Sequence, residues 1–278
     1  MSEIICKPTV KIICDSINRK ATSRLTTFEL VYWRAIHSEL MTHRVFSRNA
    51  RSSRATPIKV NIEQVRNTPY GPRFWGLNEK GMTATKEASP EQQETFKQYW
   101  IDAAKQAADK AEFLMNAGLH KQAVNRLLEP FMPIHTILTA TEFDNFFKLR
   151  IEKHAQPEMY DLAKAMKDAY DNSTPMILDN DELHLPYITD EEELLFDIDV
   201  LPFISAARCA RISYKNFDGT SSAKDDLKLA QRLLTDGHLS PFEHIAVSCD
   251  YSIDSFDPRL KSNFKDFIQF RKIIEDNE

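Results

Sequence analysis

The spacing of apolar residues divides the chain into segments of helical and of extended character. Val10 to Cys14 is a short run of β-prone residues, which predicts a buried strand. Thr26 and Glu29 then form a capping-box pattern, and apolar residues follow at near-helical spacing, so we expect a helix from Thr26 to Met41. Prolines and glycines are spread through residues 56–90, which predicts a long loop. Its aromatic residues suit a lid over a substrate, or equally an irregular surface segment with buried rings.

The clearest helix begins at Ser89, which is a predicted N-cap followed by Pro90 and by Gln92 of a capping box. Gly118 is expected to end it. Acidic residues and two prolines dominate residues 171–200, which predicts a connector. Weaker patterns predict a β-like segment over 245–251 and shorter helices over 119–128, 141–153, 157–170, 222–236 and 263–272.

Composition restricts the possible functions. The 278 residues, 42% of them hydrophobic, can bury a full core in one or two domains. A net charge of −5 argues against a protein that coats DNA or RNA, but a small anion remains a possible ligand. The four cysteines form no CxxC pair, so neither a zinc ribbon nor a disulfide framework is indicated. Neither a signal pattern nor a membrane-length apolar run is present, and we expect a soluble, cytoplasmic protein that does not bind membranes.

Residues 39–57 concentrate positive charge within this acidic chain. Four arginines alternate there with serine, asparagine and histidine, not with lysine and glutamate. Guanidinium groups beside hydroxyl and amide donors are suited to phosphate or another anion. A solvated basic loop is the alternative, but the interleaved hydroxyl residues favour an anion site.

A second polar cluster, residues 238–244, carries two histidines, a serine and a glutamate. It lacks the helical spacing of a zinc protease motif and contains Pro241, so we expect no metal site. No G-x-S-x-G motif, P-loop or G-x-G-x-x-G turn is present in the sequence. The remaining reading is nucleotide or cofactor binding, without a named reaction.

Four segments resemble the flavin-dependent thymidylate synthases. His43-Arg44, seven residues and then Ser52 resemble that family's signature, Arg-His-Arg, seven residues, Ser. Gly237 to His244 is similar to its G-H-x-[ST]-P-F-E-H segment, and Ala206 to Ser213 to its A-A-R-x-S segment. Arg126, Asn145 to Arg150 and His154 to Gln156 are similar to its C-terminal helices. The segments occur in an unusual order that resembles a circularly permuted, phage-like member, which would work in the host cytoplasm if phage-encoded.

The resemblance implies a single α/β (α+β) domain over residues 1–278, with a central, mostly antiparallel, twisted sheet flanked by helices. It also implies a homotetramer with shared active sites and FAD as cofactor, whereas the expectation of no nucleic-acid partner comes from the net charge. The implied reaction converts dUMP to dTMP with methylenetetrahydrofolate as carbon donor and NADPH as reductant.

The resemblance also assigns residues by position. FAD would be held by His43, Arg44, Asn49, Asn145, Ser213, Ser240 and Glu243. dUMP would be held by Glu39, Ser52, Ser53, Arg54, Arg126 and Arg150. The catalytic assignments are Arg150, Ser52 and His238.

The chain departs from the family pattern at several positions. Thr42 stands where the signature has its first arginine, and Ala50 where many members have glutamate. Thr139 and Thr141 stand where an Asn and an Arg often contact the adenine end of FAD. Two alternatives therefore remain: a flavin or nucleotide binder without catalysis, or altered chemistry such as hydroxymethylation of dUMP.

Overall fold

A computed structural model describes residues 3–20, 23–212, 222–249 and 257–276. Its main feature is a five-stranded sheet with the order β3-β4-β2-β1-β5, in which only the β1–β5 pair is parallel. A second, antiparallel sheet has the order β6-β7-β8. The strands are β1 (Thr9–Asn18), β2 (Arg24–Trp33), β3 (Ser47–Ala50), β4 (Pro133–Ala140), β5 (Met176–Leu178), β6 (Leu183–His184), β7 (Ala246–Ser248) and β8 (Phe267–Gln269). The mixed α/β architecture with a mostly antiparallel sheet is thereby confirmed.

Ten α-helices surround these sheets in the described ranges. They are α1 (His37–Leu40), α2 (Ile58–Asn67), α3 (Pro90–Asn116), α4 (Lys121–Val124), α5 (Asp144–Arg150), α6 (Pro157–Asn172), α7 (Asp190–Leu195), α8 (Leu201–Arg211), α9 (Ala223–Thr235) and α10 (Phe270–Asp276). The capping box at Ser89 is present, and Gly118 follows α3 with a φ of +88°. Both termini of α3 are therefore as predicted.

The helix predicted over Thr26–Met41 is wrong: this stretch forms β2, a 3-10 turn and the four-residue α1. Phe28, Leu30 and Tyr32 face one side of the sheet and pack with α5 and α6. Thr27 and Glu29 face the other side, where they meet residues of β6 and of the segment after it. Both faces of β2 are covered, so apolar residues also occur at alternate positions to these, at Leu25, Val31 and Trp33, and the alternation that normally identifies a strand is incomplete.

Four other sequence expectations also need correction. Residues 58–67, predicted as loop, form the amphipathic helix α2, which packs on α3. The helix predicted over 263–272 is instead β8 followed by α10. Strand β4, which lies between β2 and β3, was absent from the expected elements. Residues 171–200, expected as a connector, supply β5 to the large sheet and β6 to the small one.

A β-bulge in β1 determines which residues reach the small sheet. The register shifts between Ile12, which pairs with Phe28, and Cys14, which pairs with Thr27. Ile12 packs on the core beside α5 and α6, whereas Cys14 and the following Ser16 contact His184 of β6. An inserted residue reverses the alternation of a strand. The bulge thus turns the second half of β1 towards the small sheet.

The core is divided between the two sides of the large sheet. The main apolar cluster fills the side covered by α5 and α6. A second cluster joins α8, α9 and the 3-10 turn Ser240–His244, and α2–α4 enclose a third. Within the described ranges, none of the helices has the length and apolar character needed to cross a membrane.

Candidate active site

Arg150, at the last position of α5, is the centre of the first polar cluster. Its Nη1 contacts Oε2 of Glu39 at 3.1 Å, its Nε donates to Nε2 of His43 at 3.0 Å, and its Nη2 donates to Oγ1 of Thr42 at 3.3 Å. The fold thereby brings three positions of the signature or its flank, Glu39, Thr42 and His43, into contact with Arg150. Thr42 also donates to the Glu39 carbonyl oxygen at 2.7 Å. The hydroxyl at position 42 therefore takes part in orienting Arg150.

His43 is held as a neutral acceptor towards Arg150. Burial, followed by the positive charges of Arg150 and Arg48, lowers the pKa of His43 below its ordinary value. Its ring lies edge-on to Phe146 at 4.9 Å and stacks on Phe46 at 5.8 Å. Since Nε2 accepts from Arg150, the proton of the neutral ring lies on Nδ1. The aromatic packing fixes the ring, and the ring fixes the guanidinium.

A cavity of about 750 Å³ opens beside this cluster. Arg150 and Glu39 form one wall, and Gln156 and Glu158 at the start of α6 form another. Residues of the segment after α2, Phe74 among them, complete its lining. Trp75 of that segment packs instead on Trp100, with ring centroids 6.3 Å apart. The segment therefore contributes both to the cavity and to buried aromatic packing.

Asn49 in β3 is the centre of another polar cluster, which includes residues of the 238–244 segment. The Asn49 amide faces the carbonyl oxygens of Arg48 at 3.0 Å and Ser240 at 3.3 Å, and Nε2 of His244 at 3.3 Å. Carbonyl oxygens only accept, so the amide nitrogen of Asn49 must face them. Arg48 connects this cluster to the first one, because its Nη1 donates to the His43 carbonyl oxygen at 2.6 Å.

Glu243 in the same cluster forms an ion pair with Arg271 at 2.6 Å. Gln269 donates to Oγ of Ser47 at 2.8 Å and to the Glu243 carbonyl oxygen at 3.1 Å. The C-terminal residues of the described chain thus support the two segments assigned to FAD. Gln269 and Arg271 lie far from Ser47 in sequence, and the pairing of β7 with β8 helps to bring them close to residues 240–244.

A third group of assigned residues follows β3 in a 3-10 turn. Ser53 is buried, and its backbone carbonyl accepts from Nδ2 of the buried Asn125 at 2.8 Å. Neither Oγ of Ser53 nor Oδ1 of Asn125 has a hydrogen-bond partner among the described residues. The neighbouring Arg54 is exposed, and its guanidinium contacts Oγ of Ser52 at 3.4 Å. Arg126 pairs with Glu129 at 2.7 Å and is half exposed.

The remaining assigned residues lie apart from these clusters. Arg44, Asn145 and His238 are all exposed. Ser213 lies outside the described residues. A single copy of the chain therefore brings together Glu39, His43 and Arg150, and separately Asn49, Ser240 and Glu243.

Sequence reasoning missed several buried polar residues around these clusters. Tyr32 OH lies 2.8 Å from Nδ1 of His37, and burial lowers the pKa of His37 to about 4. Asn125 and His184 are fully buried and hydrogen-bonded to site segments or to strands beside them. Each belongs to a different part of the sequence, and no local motif marks it.

Comparisons with known proteins identify the family. The family model described as thymidylate synthase complementing protein matches residues 24–176. No curated protein matches the chain. The fold is similar to the crystal structure of a UMP/dUMP methylase, PolB from Streptomyces cacaoi, bound with 5-Br UMP, with a TM-score of 0.52 and 18% identity over 63% of this chain and 92% of that one. A flavin dependent thymidylate synthase, ThyX from Helicobacter pylori, complexed with FAD and dUMP, matches with a TM-score of 0.36 and 21% identity over 52% of this chain and 67% of that one.

The matched range ends before residues 237–244, so the permuted order of the motifs stays a prediction. Because the family model covers more than half of the 278 residues, the chain belongs to the thymidylate synthase complementing proteins, the flavin-dependent thymidylate synthase family that its motifs resemble.

Proposed function

We propose that this protein methylates C5 of the uracil ring of dUMP to give dTMP, with FAD as cofactor. Methylenetetrahydrofolate is the carbon donor and NADPH the reductant. The observation that carries the proposal is the guanidinium of Arg150, held by Glu39, Thr42 and His43 at the wall of a cavity. Membership in the family and the fold shared with a UMP/dUMP methylase support it.

The proposed reaction balances as a reductive methylation. A new bond joins C5 of dUMP to the methylene carbon of the folate, whose two bonds to folate nitrogens break. The two nitrogens take up two protons, the equivalent of the one lost from C5 and one from solvent. C5 loses its proton, and a hydride equivalent from NADPH converts the methylene to a methyl group. The products are dTMP, tetrahydrofolate and NADP⁺.

Arg150 would stabilise the pyrimidine as C5 becomes nucleophilic. Negative charge then develops on the uracil carbonyl oxygens, and a fixed cation beside them lowers the energy of the transition state. Glu39 and His43 restrict the guanidinium to one orientation, so little reorganisation is needed when the charge appears. No cysteine is needed as nucleophile, and burial raises the pKa of Cys14 to about 11 and that of Cys209 well above its ordinary value.

The residues around Asn49 and His43 fit FAD. Arg44 is exposed and has no ion-pair partner in the described part of the chain, so its charge is available to a diphosphate. Arg48 hydrogen-bonds to a backbone carbonyl and is half-buried near Glu243. Asn49 and Ser240 add an amide and a hydroxyl. When bound, FAD would carry the reducing equivalents from NADPH to the transferred carbon.

The 3-10 turn after β3 would hold the phosphate of dUMP. Arg54 and Arg126 supply positive charge there, and Ser52 and Ser53 supply hydroxyl groups. The hydroxyl of Ser53 and the amide oxygen of Asn125, both without partners in the described structure, mark this turn as a polar site that is incomplete in the isolated chain. A bound phosphate and its water would complete it.

The exposed positions of Arg44, Asn145 and His238 support shared active sites. These residues would meet the flavin and the folate only where another subunit packs against them. A homotetramer with composite sites, as the resemblance implies, provides that arrangement. His238 would then contact the flavin and folate and move a proton there.

Thr42 supports the rival reading of lost or altered catalysis, because it removes a cation that the family signature carries. The contacts of Thr42 support an active enzyme, because its hydroxyl accepts a hydrogen bond from Arg150 and donates one to the Glu39 carbonyl oxygen.

Three measurements on the purified protein test the proposal. Added FAD should give a bound flavin spectrum that bleaches with NADPH, and 5-³H-dUMP with methylenetetrahydrofolate should release tritium. Mass spectrometry should identify dTMP as the product. A protein that takes up no FAD would overturn the proposal, tight dUMP binding without tritium release would favour lost catalysis, and hydroxymethyl-dUMP would show altered chemistry.

A further inference from the structure

Six side chains form one continuous hydrogen-bonded path through the buried layer between the two sheets. Oγ of Ser16 lies 2.8 Å from Nδ1 of His184, and Nε2 of His184 lies 2.8 Å from Oγ1 of Thr27. The path continues from Thr27 to Oγ1 of Thr139 at 2.8 Å, and from there to Nδ1 of His244 at 2.8 Å. Nε2 of His244 faces the amide of Asn49, completing what we call the histidine relay: Ser16, His184, Thr27, Thr139, His244 and Asn49.

The relay joins segments that are far apart in sequence. Ser16, Thr27, Thr139 and Asn49 come from four strands of the large sheet, and His184 comes from β6 of the small sheet. Five of the six members are fully buried, with 0% of their surface exposed: Ser16, Thr27, Thr139, His184 and His244. Buried polar groups without partners are costly, so each member depends on the next for its hydrogen bond.

The amide of Asn49 determines the tautomer of His244. Its nitrogen faces the Arg48 and Ser240 carbonyl oxygens, so a proton on Nε2 of His244 would point at another N–H group. Nε2 must therefore be the unprotonated, accepting nitrogen. The ring proton of His244 lies on Nδ1 and is donated to Thr139.

The hydrogen bonds in the rest of the relay are donated in the same direction, from His244 towards Ser16. Among the described residues, Oγ1 of Thr139 contacts only His244 and Thr27 through its hydroxyl. Since it accepts from His244, its own proton goes to Thr27, whose proton goes in turn to Nε2 of His184. His184 then carries its proton on Nδ1 and donates it to Ser16. Both histidines are thus neutral Nδ1–H tautomers.

We propose that His184 and His244 are positioning residues that hold the Asn49 amide in one orientation for the flavin. The unprotonated Nε2 of His244 is an acceptor beside the Asn49 amide nitrogen, like the carbonyl oxygens of Arg48 and Ser240, so the relay stabilises the orientation that these carbonyls favour. The amide oxygen of Asn49 then stays available as a hydrogen-bond acceptor for the ligand. The assignment of the ligand rests on the proposed function, whereas the direction of the relay rests on the contacts alone. His184 thereby gives residues 171–200 a role in the site that no motif indicated.

Thr139→Val tests the relay, because it keeps the shape of the side chain and removes the hydroxyl that joins its two halves. Ser248→Ala is the matched control: Ser248 is equally buried and accepts from Asn18 at 2.7 Å between the same two layers, but lies outside the relay. Thr139→Ser keeps the hydroxyl. FAD affinity is measured by flavin fluorescence. It should be about tenfold lower in Thr139→Val than in Ser248→Ala, as expected for the loss of one hydrogen bond. In Thr139→Ser it should return to the wild-type value.

The tautomers provide a readout that needs neither flavin nor activity. Solid-state ¹⁵N spectra of histidine-labelled protein should show Nδ1–H rings at His184 and His244, assigned with His184→Gln and His244→Gln. An Nε2–H ring at either position, or equal loss of FAD affinity in Thr139→Val and Ser248→Ala, would overturn the relay. If the wild-type protein takes up no FAD, the proposed function and the assigned ligand fail, and the spectra alone decide whether the relay has the inferred direction.

Discussion

Arg150 and His43 lie 107 residues apart in the chain, and Nε of Arg150 donates to Nε2 of His43 at 3.0 Å. A second contact, to Glu39, uses Nη1, so two different edges of the guanidinium are fixed. Lysine has a single ammonium group on a flexible stem and cannot reproduce this arrangement. The geometry therefore makes the guanidinium, and not only its charge, a requirement of the site.

Arg150→Lys should lower kcat on the order of 100-fold, because the positive charge is no longer held beside the developing negative charge. Tritium release from 5-³H-dUMP measures this effect. Arg66→Ala is the control, since Arg66 also forms two ion pairs, with Asp109 and Glu112, but lies on α2 away from the site. Equal rates for Arg150→Lys and Arg66→Ala would contradict the role of Arg150.

Thr42→Val should reduce turnover by about tenfold, since it removes one hydrogen bond to Arg150 and one to the Glu39 carbonyl. Thr42→Ser retains the hydroxyl and should stay within about twofold of wild type on the same grounds. Steady-state rates at saturating dUMP separate the two variants. If valine and serine behave alike, the hydroxyl of Thr42 has no part in orienting Arg150.

The sequence predicted those parts of the structure whose signals are local. The helix α3 was predicted at both ends because Ser89, Gln92 and Gly118 act within one turn of their own backbone. Strand β2 was mistaken for a helix because Thr26 and Glu29 form a capping-box pattern and apolar residues follow at near-helical spacing. Only the layers packed against its two faces show that it is a strand. Local composition does not contain this information.

In the candidate site, too, residues with a local sequence signal were predicted and residues placed by tertiary contacts were not. Family motifs located Glu39, His43 and Arg150, and the fold brings them into contact. No motif located His184, because its role depends on a bulge in β1 and on the pairing of β6 with β7. Long-range pairing of this kind is set by the tertiary structure and has no local signature.

The stability of the protein should fall as pH is lowered from about 6.5 towards 3, in part because His184 and His244 are buried and neutral. Burial lowers the pKa of each ring to about 3, whereas an unfolded histidine titrates near 6.5. Between these values the unfolded chain binds protons that the folded protein does not, so acid favours unfolding. Each ring contributes a slope of about 1.4 kcal/mol per pH unit.

Urea unfolding between pH 6.5 and 5 measures this slope, because most carboxylates stay ionised there in both states. His37 and His135, whose pKa values burial lowers to about 4, add to it in the same direction. His184→Gln should reduce the slope by about 1.4 kcal/mol per pH unit, whatever it does to stability at neutral pH. An unchanged slope would show that His184 does not remain neutral in the folded protein.

Asp226→Asn should destabilise the protein by about 3–5 kcal/mol, the range for breaking a buried ion pair. The Asp226 side chain is fully buried, and its two oxygens contact Nε of Arg208 at 3.0 Å and Nε of Arg211 at 2.7 Å. Both arginines lie on α8 and Asp226 on α9, so the carboxylate joins the two helices. An amide keeps the shape but removes the carboxylate that faces Arg211 and one of the two that face Arg208, which also pairs with Glu192. Asp236→Asn, at an exposed position after α9, should change the free energy of unfolding by less than about 0.5 kcal/mol. Urea unfolding at neutral pH compares the two variants, and similar values for both would mean that the α8–α9 contact rests on apolar packing alone.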